Sequence, residues 1–493
     1  MSTINLHELI LLKEDEQLFR KYANYRQPHL INNKIRLDEI KVLEKMIIEL
    51  QLTDSELDGF YYGYVIPHLD KEIDLIKIGN DYVLNIEMKS TSFEEKIKKQ
   101  LQTNRYFLKM IKKQIISIAY QEDINQFYIL DDEKLVKTDA LIVKKYINEL
   151  EGIDVNLDDY YKASTLLVSP LNNTEKFIND EYLLTQHQMK IKSEIHNNIS
   201  EKQFYGITGG PGTGKSLLIY DIAKEGGKKS NVLVIHCGML CPGHLLLDEK
   251  LYGVDVIPIK DLNRIPDFSK YDIVLVDECQ RIYIPQLDKI IQMTIDKKNS
   301  CIFSFDLNQR LSQKEVKRNV ESKLNKIFED RIYKLTNKIR TNQKLSYFID
   351  CLFDKRKNDH KTLFDDVKII YENDERKAHA LARRQNGYSY IRFTPSRVNS
   401  ALNYQISSDF NTHQIIGQEF DNVVMLLNRY FHYTDKGQLV ADPHPNPDYM
   451  FTKMLYQGLT RAREKIILIV TRPAMLNEIL ELFYNGSNYD KNE

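Results

Sequence analysis

The stretch Gly209-Gly-Pro-Gly-Thr-Gly-Lys215-Ser216 constrains this chain more than any other. It satisfies every fixed position of the phosphate-loop pattern G-x-x-x-x-G-K-[ST]. It also lies between a strand-like and a helix-like run, the context in which such a match carries meaning. Gly209, Gly212 and Gly214 let the backbone curl until its N–H groups face phosphate oxygens. The helix that follows adds the partial positive charge of its N-terminus. Lys215 is then placed to bridge the β- and γ-phosphates of ATP, and Ser216 to hold Mg²⁺.

Further on, Ile273-Val-Leu-Val-Asp277-Glu278-Cys279-Gln280 ends an apolar run in two acids. Asp277 is expected to hold the metal and Glu278 to polarise an attacking water. Asp306 and Gln309 follow the next apolar run, Cys301–Phe305, and are expected to sense the γ-phosphate. These runs, with Val232–His236, are continuous rather than alternating, as strands of a parallel sheet covered on both faces should be. A second set occurs at Tyr388–Phe393, Asn422–Leu427 and Ile466–Val470.

The 493 residues leave room for about three domains. We expect an α/β chain with an N-terminal domain at 1–150, a linker at 151–182, and two nucleotide-handling lobes at 183–330 and 331–493. The 69 Lys and Arg nearly cancel the 70 Asp and Glu, so any contact with nucleic acid must use local basic patches. No apolar run approaches the roughly 18 residues of a membrane span. The segment Met1–Lys13 lacks the order of a signal peptide. Five scattered cysteines point to a reducing compartment. A cytoplasmic protein without a membrane partner is expected.

The second half resembles superfamily 1 helicases, and among them the branch with Schlafen-like DNA/RNA helicase domains, over roughly Leu184–Val470. Leu184-Thr-Gln-His-Gln188 is similar to the adenine-reading motif, with Gln188 in the glutamine position. Phe305-Asp306-Leu-Asn-Gln309 resembles motif III, with Phe305 where glycine is usual. Leu335-Thr-Asn-Lys-Ile-Arg340-Thr341 resembles motif IV, of which only Arg340 carries over. Thr412-His413-Gln-Ile-Ile-Gly417-Gln418-Glu419 resembles motif V, and Tyr456-Gln-Gly-Leu-Thr-Arg461-Ala-Arg463 motif VI. The resemblance implies two RecA-like parallel-sheet lobes, with Gln188 and Glu419 at the nucleotide and Thr412 and His413 at the strand. Arg340 and Arg461 are then the candidates to neutralise charge on the γ-phosphoryl oxygens from across a cleft. ATP and Mg²⁺ are the implied cofactors. DNA, single-stranded or duplex with ends, is the implied partner, with RNA as the alternative.

A second constellation lies in Glu72–Lys89, which reads as a hairpin turning near Gly79–Asp81. With Asn80-Asp81 as a two-residue turn, Asp74 falls opposite Glu87. With Gly79-Asn80 the two are diagonal, still on one face, and Lys89 shares that face. Two carboxylates and a lysine suit metal-assisted phosphodiester hydrolysis. This set resembles the PD-(D/E)XK nuclease superfamily, which implies Mg²⁺ or Mn²⁺ at Asp74 and Glu87 with Lys89 as the catalytic cation. Gln102-Thr-Asn-Arg-Tyr106 is similar to the Gln-x-x-x-Tyr element of its RecB-like branch, which implies nucleic-acid contact by Gln102 and Tyr106. Glu39, Glu44 and Glu49 compete for the first acid.

Lys96–Lys113 carries seven basic residues and no acid, interleaved with Tyr106 and Phe107, a face able to neutralise phosphates and stack bases. Such runs are more often solvated helix surface. Nuclease–helicase fusions of this kind resemble bacterial antiphage defence or repair proteins. The rival reading is an ATP-switched nucleic-acid sensor with a binding-only N-terminal domain. A lesser cluster, His236-Cys237…Cys241-Pro-Gly-His244, has four potential zinc ligands in close sequence.

Overall fold

The computed structural model describes residues 3–26, 37–67, 69, 71–161, 168–198, 204–328, 331–336, 343–395, 409–442 and 449–483. The chain divides into two compact units, Met1–Leu166 and Leu167–Glu493.

The first unit holds a six-stranded sheet in sequential order: β1 (Phe60–Ile66), β2 (Lys71–Ile78), β3 (Tyr82–Lys89), β4 (Gln114–Gln121), β5 (Gln126–Asp131) and β6 (Lys134–Thr138). Neighbours are antiparallel except β3 and β4. A parallel pair needs a crossover, and the helix Glu94–Leu108 supplies it. That helix buries Ile97 and Leu101 against Ala119, Tyr128 and Leu130 on one face of the sheet. The helix Leu37–Leu50 covers the other face, packing Ile40, Leu43 and Met46 with Leu75, Leu84 and Ile86.

The second unit contains two parallel sheets. The first has the order β12-β7-β11-β10-β8-β9, from β7 (Phe204–Gly209), β8 (Val232–His236), β9 (Val254–Pro258), β10 (Ile273–Asp277), β11 (Ser300–Phe305) and β12 (Ile332–Leu335). The second has the order β13-β19-β16-β14-β15, from β13 (Val367–Tyr371), β14 (Ser389–Arg392), β15 (Phe410–Asn411), β16 (Phe420–Leu427) and β19 (Ala462–Val470). A small antiparallel pair, β17 (Phe431–Tyr433) and β18 (Leu439–Ala441), sits beside it in the chain. β8 and β11 are buried at every residue, which is why their sequences are unbroken apolar runs.

Two expectations about boundaries change. β12, assigned from the sequence to the second lobe, pairs with β7 and closes the edge of the first sheet. The expected linker is in part core: Val168, Leu171 and Phe177 pack with Leu218 and Tyr220 of the phosphate-loop helix, Lys215–Gly227. A short apolar run gives no sign of which sheet it will join, and sparse apolar residues in a polar stretch give no periodicity. Among the described residues no helix is long and apolar enough to cross a membrane.

Candidate nucleotide and metal sites

Parallel strands bring their C-terminal ends to one edge of a sheet, where ligands of open α/β folds bind. Here β7 ends in the phosphate loop, β10 in Asp277 and β11 beside Asp306. Gly212 and Gly214 have φ of +72° and +85°, left-handed conformations that side chains disfavour. A Cβ on Gly209 would lie 2.6 Å from Thr213 Oγ1 and 2.7 Å from Leu335 O. Lys215 Nζ donates to Gly209 O at 2.9 Å and Gly210 O at 3.0 Å, and lies 3.9 Å from Asp306 Oδ2. Ser216 Oγ donates to Asp277 Oδ2 at 3.4 Å. Gln188 braces the loop, its Nε2 donating to Thr213 O at 3.3 Å and Gly214 O at 3.4 Å.

The two acids differ in setting. Asp277 is buried, which raises a carboxyl pKa, yet contacts with His236 and Ser304 hold it below the usual carboxylate range. Glu278 adopts φ +58°, a non-glycine left-handed residue costing on the order of 1 kcal/mol or more. Its carboxylate accepts from Gln280 Nε2 at 2.6 Å, and Gln280 Oε1 accepts from Asp306 N at 3.1 Å. Gln280 and Ser304 were not singled out from the sequence, although Gln280 stands two places after Glu278.

From the second sheet, Arg461 enters this cluster. Its Nη2 donates to Gln309 Oε1 at 2.6 Å, and Gln309 Nε2 donates to Asp306 Oδ2 at 2.8 Å. Burial lowers the Arg461 pKa, opposed by the charges of Glu278, Glu419 and Asp306. The Glu419 N–H donates to Asn172 Oδ1 at 2.7 Å, and Arg463 Nη1 to Asn173 Oδ1 at 3.2 Å. Thus a segment that read as linker joins the two lobes. Arg340 lies outside the described residues. Thr412 is buried and its hydroxyl meets Thr394 Oγ1 at 2.8 Å. His413 Nδ1 meets the same hydroxyl at 2.6 Å, and its ring centroid lies 4.6 Å from that of Tyr449. Burial, and after it the charge of Arg281, pulls the His413 pKa down to about 3.

In the first unit Gly79 N donates to Tyr82 O at 3.1 Å, so Asn80-Asp81 is the turn. The pairs Ile78–Val83 and Leu75–Ile86 continue to Asp74 opposite Glu87. Asp74 Oδ2 accepts from Met88 N at 2.8 Å. Glu87 accepts from Lys89 Nζ at 2.6 Å and Asn104 Nδ2 at 2.8 Å. Burial, reinforced by the charge of Glu87, pushes the Asp74 pKa well above the carboxylate range. Burial would lower the Lys89 pKa, but Glu87 and Asp74 raise it.

Among the three upstream acids, Glu39 is the one whose charge reaches both Asp74 and Lys89. Glu44 is instead paired with Lys13 at 2.7 Å, and the charge of Glu49 falls on Tyr120. The helix Glu94–Leu108 presents Asn104 to the acid pair, while Gln102 donates to Glu133 and Tyr106 lies under Lys109 Nζ at 4.7 Å. Asn104 and the buried Lys71, whose amine is lowered by burial and raised by Glu87, were missed. No group of three or more His, Cys, Asp or Glu side chains able to hold a metal occurs among the described residues. The four potential ligands His236, Cys237, Cys241 and His244 form no such group: Cys237 and Cys241 belong to different core clusters. The His236 and His244 rings lie 4.3 Å apart with their planes tilted by 48°, and burial, then His236, pulls the His244 pKa to about 2.

The sequence profile of the viral superfamily 1 RNA helicase core domain matches residues 206–470. No curated protein sequence matches the chain. Among solved structures, a Pif1 helicase from Bacteroides in complex with ADP-AlF3 and single-stranded DNA is 13% identical, covering 59% of this chain and 94% of that one, with a TM-score of 0.36. A Pif1 helicase from Candida albicans is 13% identical, covering 61% and 99%, with a TM-score of 0.35. Likenesses at TM-scores this low bear no functional weight. The profile, in contrast, spans more than half of the chain, from within β7 to the end of β19, and takes in the phosphate loop, Asp277, Glu278, Gln309 and Arg461: the chain belongs to the viral superfamily 1 RNA helicase core family.

Proposed function

We propose that this chain is an ATP-driven motor of the Schlafen-like branch that moves along and unwinds DNA, with a metal-dependent nuclease in its amino-terminal unit. Defence against phage or DNA processing is the role such a pairing suits. The observation that carries the motor is the buried path Lys215–Asp306–Gln309–Arg461, which joins the phosphate loop to an arginine of the second lobe.

The residues present fit ATP with Mg²⁺: the glycine cradle would hold the phosphates, and Ser216 and Asp277 the metal. Lys215 now rests on loop carbonyls that phosphate oxygens can replace as acceptors. The metal, when bound, supplies charge neutralisation at the phosphates. Glu278, fixed by Gln280, takes the proton of the attacking water, and Arg461 neutralises the charge that develops on the γ-phosphoryl group.

The nuclease half is supported by the register that sets Asp74 against Glu87, with Lys89 on the same strand and Glu39 within electrostatic reach. One observation favours a binding-only unit instead: Glu87 is already engaged by both Lys89 and Asn104. The test is incubation of pure protein with labelled linear and circular DNA, and with RNA, in Mg²⁺ or Mn²⁺, with and without ATP. Metal-dependent cutting supports the nuclease, and its absence under every condition removes that half of the reading. ATP hydrolysis unaffected by any strand would remove the motor.

A further inference from the structure

Beside the nucleotide cluster lies an exposed aromatic that the helicase motifs leave unused. Tyr283 follows the turn that bears Glu278 and Gln280, and it is 57% exposed. The guanidinium carbon of Arg318 sits 3.7 Å from its ring centroid, and Arg318 Nη1 donates to Arg281 O at 2.7 Å. An arginine over an aromatic face holds the ring in place while leaving most of the residue open to solvent.

The short helix Gln313–Lys317, just before Arg318, is capped by Ser312 Oγ on Glu315 N at 3.2 Å. It exposes Lys314, Val316 and Lys317, and its one acid, Glu315, is buried. Glu315 pairs with Arg281 at 3.3 Å and accepts from Leu311 N at 2.6 Å. Ser312 bridges to Tyr449, whose ring packs on His413. Contacts therefore run from Tyr283 through the basic helix to His413 on the second lobe.

A braced, solvent-facing ring followed in the fold by a helix with exposed lysines suits single-stranded nucleic acid. The ring takes a base by stacking, and the lysines take flanking phosphates. We propose that Tyr283, braced by Arg318, is a base-stacking platform for single-stranded nucleic acid, with Lys314 and Lys317 on the phosphates that flank the stacked base. This rests on the reading that the motor tracks a strand. Because Arg281 joins the Glu278 turn to Glu315, a strand seated on the platform bears on the segment that positions the catalytic carboxylate.

The test titrates full-length protein with fluorescein-labelled oligothymidylate and oligouridylate, followed by anisotropy, alongside strand-stimulated ATP hydrolysis. Tyr283→Ala should weaken binding roughly 5- to 150-fold and raise the half-stimulating strand concentration. It should leave the slope of log affinity against log salt unchanged, since no charge is removed. Tyr283→Phe should bind as wild type. Replacing Lys314 and Lys317 together by alanine should flatten that slope by about 0.7 for each phosphate no longer neutralised. Tyr252→Ala, at an 82% exposed tyrosine elsewhere in the same unit, is the control and should change nothing. Wild-type affinity in Tyr283→Ala, or a Tyr283→Phe variant as weak as the alanine, would overturn the platform and leave the motor standing. Wild-type protein that binds neither oligomer and gains no activity from them would overturn both.

Discussion

Arg461 and Gln309, 152 positions apart in the chain, meet in a buried hydrogen bond of 2.6 Å. Gln309 links onward to Asp306, which lies 3.9 Å from Lys215. A guanidinium this desolvated is held by specific acceptors rather than by water, so its position depends on Gln309. Nucleotide charge arriving between Lys215 and Arg461 would draw on both lobes at once.

Replacing Arg461 by alanine should therefore act on turnover. We expect kcat to fall by about 10³-fold or more, with nucleotide Kd within roughly tenfold of wild type, measured by steady-state hydrolysis and by a fluorescent nucleotide. Gln309→Ala should cost less, and the double variant should lose no more than Arg461→Ala alone, since Gln309 works through the arginine. A normal kcat in Arg461→Ala would place this residue outside the reaction.

Lys215→Ala should abolish hydrolysis by removing the cation beside the β- and γ-phosphates. Glu278→Gln should still bind ATP but turn over about 10²- to 10⁴-fold more slowly. Gln280→Ala, which frees the Glu278 carboxylate, should slow turnover by about tenfold, in line with a buried hydrogen bond to a charge worth ~1.5 kcal/mol. Single-turnover rates with bound nucleotide separate these effects from affinity.

In the amino-terminal unit, Asp74→Ala and Lys89→Ala should each abolish cleavage of labelled DNA and leave strand-stimulated ATP hydrolysis intact. Excess Mg²⁺ or Mn²⁺ should partly rescue Asp74→Ala and not Lys89→Ala, because only the first removes a metal-binding charge. Chelator should stop cutting in the absence of ATP. Cutting that survives in either variant would assign the activity elsewhere.

The raised pKa of Asp74 sets a pH dependence with a definite sign. A carboxyl protonated more readily in the folded than in the unfolded chain stabilises the fold at low pH, and that contribution is lost as pH rises through its folded value. Calorimetry should show Asp74→Asn gaining stability relative to wild type as pH is raised from about 4, the ordinary aspartate value. Mg²⁺ should narrow that gap at high pH by occupying the acid pair in wild type. A gap that is flat with pH, or widens as pH falls, would contradict burial and Glu87 repulsion as the forces acting on Asp74.

Local spacing alone determined a good deal of this protein. The phosphate loop, the strands ending at Asp277 and Phe305, and the hairpin face shared by Asp74, Glu87 and Lys89 follow from periods of a few residues, which the backbone reads directly; which of two turns closes that hairpin was decided by the bond from Gly79 N to Tyr82 O. Other features arise only when distant segments meet. Nothing near Asn104 marks it as the partner of Glu87, because Gln102 and Tyr106 on the same helix carry the more familiar pattern. Glu39, Glu44 and Glu49 are alike in sequence, and only their surroundings tell them apart: the charge of Glu39 reaches Asp74, Glu44 pairs with Lys13, and the charge of Glu49 falls on Tyr120. β12 joined the first sheet and Asn172 reached the Glu419 backbone for the same reason. Side-chain periodicity states which face is buried, whereas the partner across that face is settled by the packing of the whole chain.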